Sequence, residues 1–124
     1  SRGLGDVYKR QKKGYDFRKE IILDLNHKVD YFIHAAYDCF RTSKFSNYAY
    51  DSNIIGVKNA LDFCKKKSAK FIFLSSYVYG PAKYLPIDLK HPTNPHNLYA
   101  KSKLECEKII LEFKKKHEIT TRTT

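Results

Sequence analysis

Four consecutive apolar residues, Phe71-Ile72-Phe73-Leu74, run directly into Ser75-Ser76. An apolar run without alternation is what a strand covered on both faces needs, and such strands belong to parallel sheets. Parallel strands are joined by crossovers rather than tight turns, so helical patterns should flank the run. They do. From about Asp51, residues Ile54, Val57, Leu61 and Cys64 fall on one helical stripe. A second helix is expected from about Leu98 to Lys116, with Cys106, Ile109, Ile110 and Phe113 as its apolar stripe. Val29–Ile33 reads as a strand closing in His34-Ala35-Ala36, Glu20–Leu25 as an earlier strand, and Ile119 onward as the next one. Residues 80–97 hold Gly80 and all four prolines, which marks a loop.

Strands alternating with helices imply an α/β fold, a doubly wound parallel sheet or a large part of one. Ligands of such sheets sit beyond the C-terminal ends of the strands. Asp24, His34-Ala35-Ala36 and Ser75 all occupy such ends, so three strands should converge on one crevice.

Two residues of the second helix add chemistry. Tyr99 and Lys103 are four apart and share one helix face. A phenol ordinarily gives up its proton near pH ~10; an ammonium one turn away favours the phenolate. Ser75, at a strand end, is placed to hydrogen-bond a substrate oxygen. The three together suit proton transfer during an alcohol–ketone interconversion. The spacing alone selects nothing, because Tyr-x-x-x-Lys also occurs at Tyr8/Lys12, Tyr15/Lys19 and Tyr79/Lys83. Gly80-Pro81 interrupts the third of these, so it is no helical pair. Tyr15/Lys19 precedes a strand and has no serine-bearing strand before it. Only Tyr99/Lys103 opens an amphipathic helix after a strand that ends in serine.

Composition narrows the alternatives. The chain has 124 residues, 42% hydrophobic and 30% charged, which suits one small globular domain. No apolar stretch approaches the roughly 20 residues of a membrane span. Cys39, Cys64 and Cys106 are odd in number, widely spaced and without a CxxC pattern. Reduced thiols in a cytoplasmic protein are therefore expected, with no metal site. The formal charge of +11 raises a basic nucleic-acid-binding module as a remote alternative. The lysines, however, concentrate in Lys65-Lys66-Lys67 and Lys114-Lys115-Lys116, each at the end of a helical pattern, where cations complement the helix dipole. A solvated basic surface is the reading adopted, with no nucleic acid and no membrane as partner.

The ends look truncated. Asp6-Val7-Tyr8-Lys9-Arg10-Gln11 resembles the translation of a transposase adapter used in sequencing libraries, so residues 1–11 are read as a non-native tail. The expectation is an internal fragment of a longer protein, with residues 12–124 as part of one domain.

Several segments taken together resemble the extended short-chain dehydrogenase/reductases, the NAD(P)-dependent epimerase/dehydratase family. They are Asp24-Leu25, Val29 to Ala36, Asn53-Ile54-Ile55-Gly56-Val57-Lys58-Asn59, Ser75 to Gly80, and Asn94 to Glu105. They occur in the family's order and span nearly all of residues 20–113. The resemblance implies a Rossmann-type domain with NAD or NADP as cofactor and a nucleotide-sugar-like substrate. It implies Tyr99 as general acid/base, Lys103 as its partner and as a holder of the nicotinamide ribose, and Ser75 as the group on the reacting oxygen. It further implies Asp24 and Leu25 against the adenine, Ala35 and Ala36 as small residues that admit the cofactor, and Asn53 as support for the site. A homodimer is one assembly open to the complete protein.

The family's Gly-rich phosphate loop has no counterpart, because Gly3-Leu4-Gly5 follows no strand. The first strand, that loop and the C-terminal substrate domain are expected to lie outside this chain, which by itself should not turn over. Where sugar-nucleotide 4,6-dehydratases resemble one another in an Asp-Glu pair after the catalytic Ser/Thr, this chain has Ser76-Tyr77. That argues against dehydration and leaves two branches. One is a nucleotide-sugar epimerase, favoured by Gly56-Val57-Lys58-Asn59. The other is a 4-keto-sugar reductase of the dehydrorhamnose-reductase type, favoured by Tyr77-Val78 and Pro92 to Tyr99.

Overall fold

The structure is a computed structural model, and it describes residues 18–21, 28–37, 46–76, 80–117 and 119–123. The expected strand over residues 20–25, with Asp24 and Leu25, therefore lies almost wholly outside the described residues, as do residues 1–11.

Within them the order is β1 (Tyr31–His34), α1 (Ser46–Lys67), β2 (Lys70–Phe73), α2 (Leu98–His117) and β3 (Thr121–Thr123). The strands form one parallel sheet in the order β1-β2-β3, with Phe32 opposite Phe71 and Phe71 opposite Thr121. Each crossover is a helix, as a parallel ladder demands. This is the expected α/β architecture, one wing of a Rossmann-type sheet.

The helices pack on each other and on one face of the sheet. Between them lies the core: Val57, Ala60, Leu61 and Cys64 from α1, Phe71 and Phe73 from β2, Cys106 and Ile110 from α2. Leu61 and Phe71 are fully buried, and such a side chain contributes roughly 1.5–3 kcal/mol through removal from water. Ile54, Ile109 and Phe113 flank this cluster. Both helical stripes read from the sequence thus face inward.

The strand expectation needs one correction. Phe71 and Phe73 are buried, but Ile72 is only half-buried and Leu74 is 40% exposed. On β1 the residues of the same side, Tyr31 and Ile33, are 57% and 61% exposed. The apolar run is continuous, yet its burial alternates, because both described helices cover the same face. No described element covers the other.

Local chemistry sets the element ends. Asn97 caps α2: its Oδ1 accepts from the Ala100 N–H at 2.8 Å and its carbonyl from the Lys101 N–H at 2.9 Å. The end of α1 is a left-handed turn at Ser68, φ 54°, where the Ala69 N–H donates back to the Cys64 carbonyl at 2.9 Å. The lysine triplets occupy the last turns of α1 and α2, as expected. The sequence pattern placed the start of α1 about five residues late, because Ser46 to Tyr50 carry no apolar stripe.

The loop between β2 and α2 is held by His91, which is 4% exposed. Its Nε2 accepts from the Lys83 N–H at 3.0 Å, so the ring proton sits on Nδ1 and is donated to the Pro92 carbonyl at 2.9 Å. Gly80 opens the loop at φ +70°, a conformation that favours glycine. A Cβ there would meet His96 Nε2 at 2.6 Å, with the Asn94 carbonyl oxygen closer still.

Candidate active site

The parallel ladder brings the ends of β1 and β2 side by side, with the Leu74 N–H donating to the His34 carbonyl at 3.4 Å. Ala35 and Ser75 therefore leave the sheet as neighbours. Helix α2 runs back over these ends and presents one face to them.

Lys103 lies on that face and is 4% exposed. Its Nζ donates to the Leu74 carbonyl oxygen at 2.6 Å. The ammonium sits 3.7 Å from the ring centroid of Tyr37, 4.8 Å from Phe73 and 5.7 Å from Tyr99. Burying a cation is expensive unless it is paired. Here a strand-end carbonyl and aromatic faces offset that expense.

Tyr99 is half-buried, one turn before Lys103, with its ring edge-on to Tyr37 at 5.5 Å and 82°. The Ser102 hydroxyl donates to the Tyr99 carbonyl at 2.8 Å. Its single proton thus used, it accepts from the Tyr37 hydroxyl at 2.6 Å. Burial raises the pKa of the Tyr37 phenol well above its ordinary value, against the lowering effect of the Ser102 bond.

Ser75 is half-buried, and its hydroxyl donates to Glu107 Oε1 on α2. Tyr99, Lys103 and Glu107 are successive members of one row, four residues apart. Ser75 is thus tied to the same helix face as the other two.

Ala35 is exposed and Ala36 half-buried just past β1. Asn53 is 5% exposed on α1, and its carbonyl lies 3.9 Å from Cys106 Sγ. His34 is 3% exposed and stacks on Phe73 with centroids 6.0 Å apart. Burial first, and the Lys103 ammonium second, hold its pKa down at about 4. It is a neutral imidazole at physiological pH.

The structure thus gathers Tyr99, Lys103 and Ser75 onto one helix face at the strand ends, with Ala35 and Ala36 beside them. Asn53 is buried on α1, with its carbonyl facing Cys106 on α2. Asp24 and Leu25 lie outside the described residues. Tyr37 and Glu107 were not found from the sequence. For Glu107 the signal was available, since it continues the Tyr99/Lys103 spacing by one more turn. For Tyr37 none was, because its role depends on where β1 ends relative to α2.

A sequence profile of the NAD dependent epimerase/dehydratase family matches residues 16–124. The chain belongs to that family. The UDP-glucose 4-epimerase of Lactobacillus helveticus is 35% identical over 89 residues, 68% of this chain and 27% of that protein. The N-acetyl-alpha-D-glucosaminyl-diphospho-ditrans,octacis-undecaprenol 4-epimerase of Escherichia coli O157:H7 is 42% identical over 66 residues, 52% of this chain and 20% of that protein. Among solved structures, RMD from Pseudomonas aeruginosa, complexed with NADPH, superposes with a TM-score of 0.76 at 29% identity. That match covers 88% of this chain and 41% of RMD. The chain spans 20% to 32% of the length of the curated relatives it matches.

Within this family member the two described thiols are core groups. Burial pushes Cys106 up to about 11 and Cys64 up to about 12. Both are free and buried, which makes them poor nucleophiles. Among the described residues no cluster of His, Cys, Asp and Glu could hold a metal ion, and no helix is long and apolar enough to cross a membrane.

Proposed function

We propose that this chain carries the proton-transfer side of an NAD(P)-dependent oxidoreductase/epimerase acting on a nucleotide-sugar-like substrate. The observation that carries the reading is the buried Lys103 ammonium at the end of β2, on the same helix face as Tyr99. Tyr99 takes a proton from a substrate hydroxyl as it becomes a carbonyl and returns it in the reverse step. Lys103 places a positive charge beside that tyrosine, 5.7 Å from its ring centroid. Ser75 holds the reacting oxygen.

The residues present fit a dinucleotide. A cation and a phenol flank the strand ends, and Ala35 leaves the backbone past β1 open to close approach. Lys103 and Tyr99 would hold the nicotinamide ribose, Ala35 and Ala36 would line its path, Asp24 and Leu25 would meet the adenine, and Asn53 would support the site. When bound, the nicotinamide supplies the hydride acceptor and donor. The epimerase branch is favoured by the names of the relatives from L. helveticus and E. coli, both 4-epimerases.

The test is made on the complete protein. Tyr99→Phe is expected to abolish interconversion of UDP-glucose and UDP-galactose while dinucleotide binding persists; wild-type turnover in that variant would refute the assignment. An epimerase needs only catalytic nicotinamide, so one reduced dinucleotide consumed per turnover would move the protein to the keto-sugar reductase branch.

A further inference from the structure

We infer that Tyr37 is a positioning residue whose ring face fixes the Lys103 ammonium against the end of β2 and whose hydroxyl fixes α2 at Ser102. This rests on the reading that Lys103 serves Tyr99.

Among the described residues the ring of Tyr37 is the nearest aromatic face to the ammonium, at 3.7 Å from its centroid. Lys103 has a flexible four-carbon stem, so the position of its charge depends on what surrounds Nζ. The Leu74 carbonyl fixes one direction, at 2.6 Å. The Tyr37 face opposes drift in another, and such an attraction is strongest where water is excluded. At 4% exposure Lys103 meets that condition.

Tyr37 is itself locked. Its hydroxyl donates to Ser102 Oγ at 2.6 Å, and Ser102 donates to the Tyr99 carbonyl at 2.8 Å. Its ring meets the edge of Tyr99 at 5.5 Å. One side chain at the end of β1 thus sets the ammonium, the start of the helix and the ring of the proton-transfer tyrosine. A core aromatic would need none of these polar contacts. With its proton committed to Ser102 and held by burial, Tyr37 is not a second acid.

The experiment compares rings of equal shape and opposite face charge in the complete enzyme. Relative to Tyr37→Phe, pentafluorophenylalanine at position 37 is expected to lower kcat about tenfold while KM changes less than about twofold. In a Lys103→Met background the same two rings should give equal residual rates, because no cation remains to hold. Equal kcat for the two rings with Lys103 intact would overturn the inference, as would an equal ring effect without Lys103. The ring shape is kept, so folding does not confound the comparison. If Tyr99→Phe is inactive and the two rings are equal, only this inference fails. If Tyr99→Phe is active, the parent reading fails with it.

Discussion

The Ser75 hydroxyl donates to the Glu107 carboxylate, joining the end of β2 to the second turn beyond Tyr99 on α2. A hydroxyl has one proton, and this one is committed to Glu107. On the proposed reading the serine turns from Glu107 to donate to the reacting oxygen, and the carboxylate keeps it at the strand end until then. Removing the carboxylate frees the serine to rotate. Glu107→Ala in the complete enzyme is expected to lower kcat about tenfold with little change in KM. Ser75→Ala added to it should cost little more, since the two act as one unit. Additive losses in steady-state kinetics would separate them.

His34 predicts an acid sensitivity of the fold. Its pKa lies at about 4, below the ordinary 6.5, because burial disfavours the charged ring. Between those values the unfolded chain binds a proton that the folded chain refuses, so stability falls as pH drops. Its contribution is full above pH 6.5 and decreases by about 3 kcal/mol as pH approaches 4. Urea melts from pH 7 to 4.5 should show this slope, and His34→Phe, which keeps a ring against Phe73, should flatten it.

Gly80 has no room for a side chain. Its φ is +70°, and an added Cβ would press on the Asn94 carbonyl and on His96. Gly80→Ala should destabilise by at least ~2 kcal/mol, combining backbone strain with overpacking. Thermal unfolding followed by circular dichroism measures it.

Ser68 predicts the opposite sign. It ends α1 with φ 54°, where a Cβ is unfavourable and glycine is the usual residue. Ser68→Gly should stabilise by roughly 0.5–1 kcal/mol. A lower melting temperature would mean that the serine side chain outweighs the strain of its backbone.

Much of the site was legible before folding because it is local. Tyr99 and Lys103 share a face through helical geometry alone. The apolar stripes of α1 and α2 face the core because a period of 3.6 residues leaves them nowhere else to go. Which faces of the sheet are covered was not legible. Phe71-Ile72-Phe73-Leu74 is apolar throughout, and only the packing of both helices on one side leaves Leu74 exposed while Phe73 is buried.

The long-range pairs also required the fold. Tyr37 and Ser102 are 65 residues apart, and Ser75 and Glu107 are 32 apart. Their meeting follows from the register of β1 on β2 and the return of α2 over both strand ends. The sequence by itself determined the alternation of strand and helix, the two buried stripes and the shared face of Tyr99 and Lys103, because each depends on residues within a few turns. Only the tertiary structure decided that the Lys103 ammonium is buried between a strand-end carbonyl and the ring of Tyr37, because a charge takes its surroundings from whatever the chain brings back to it.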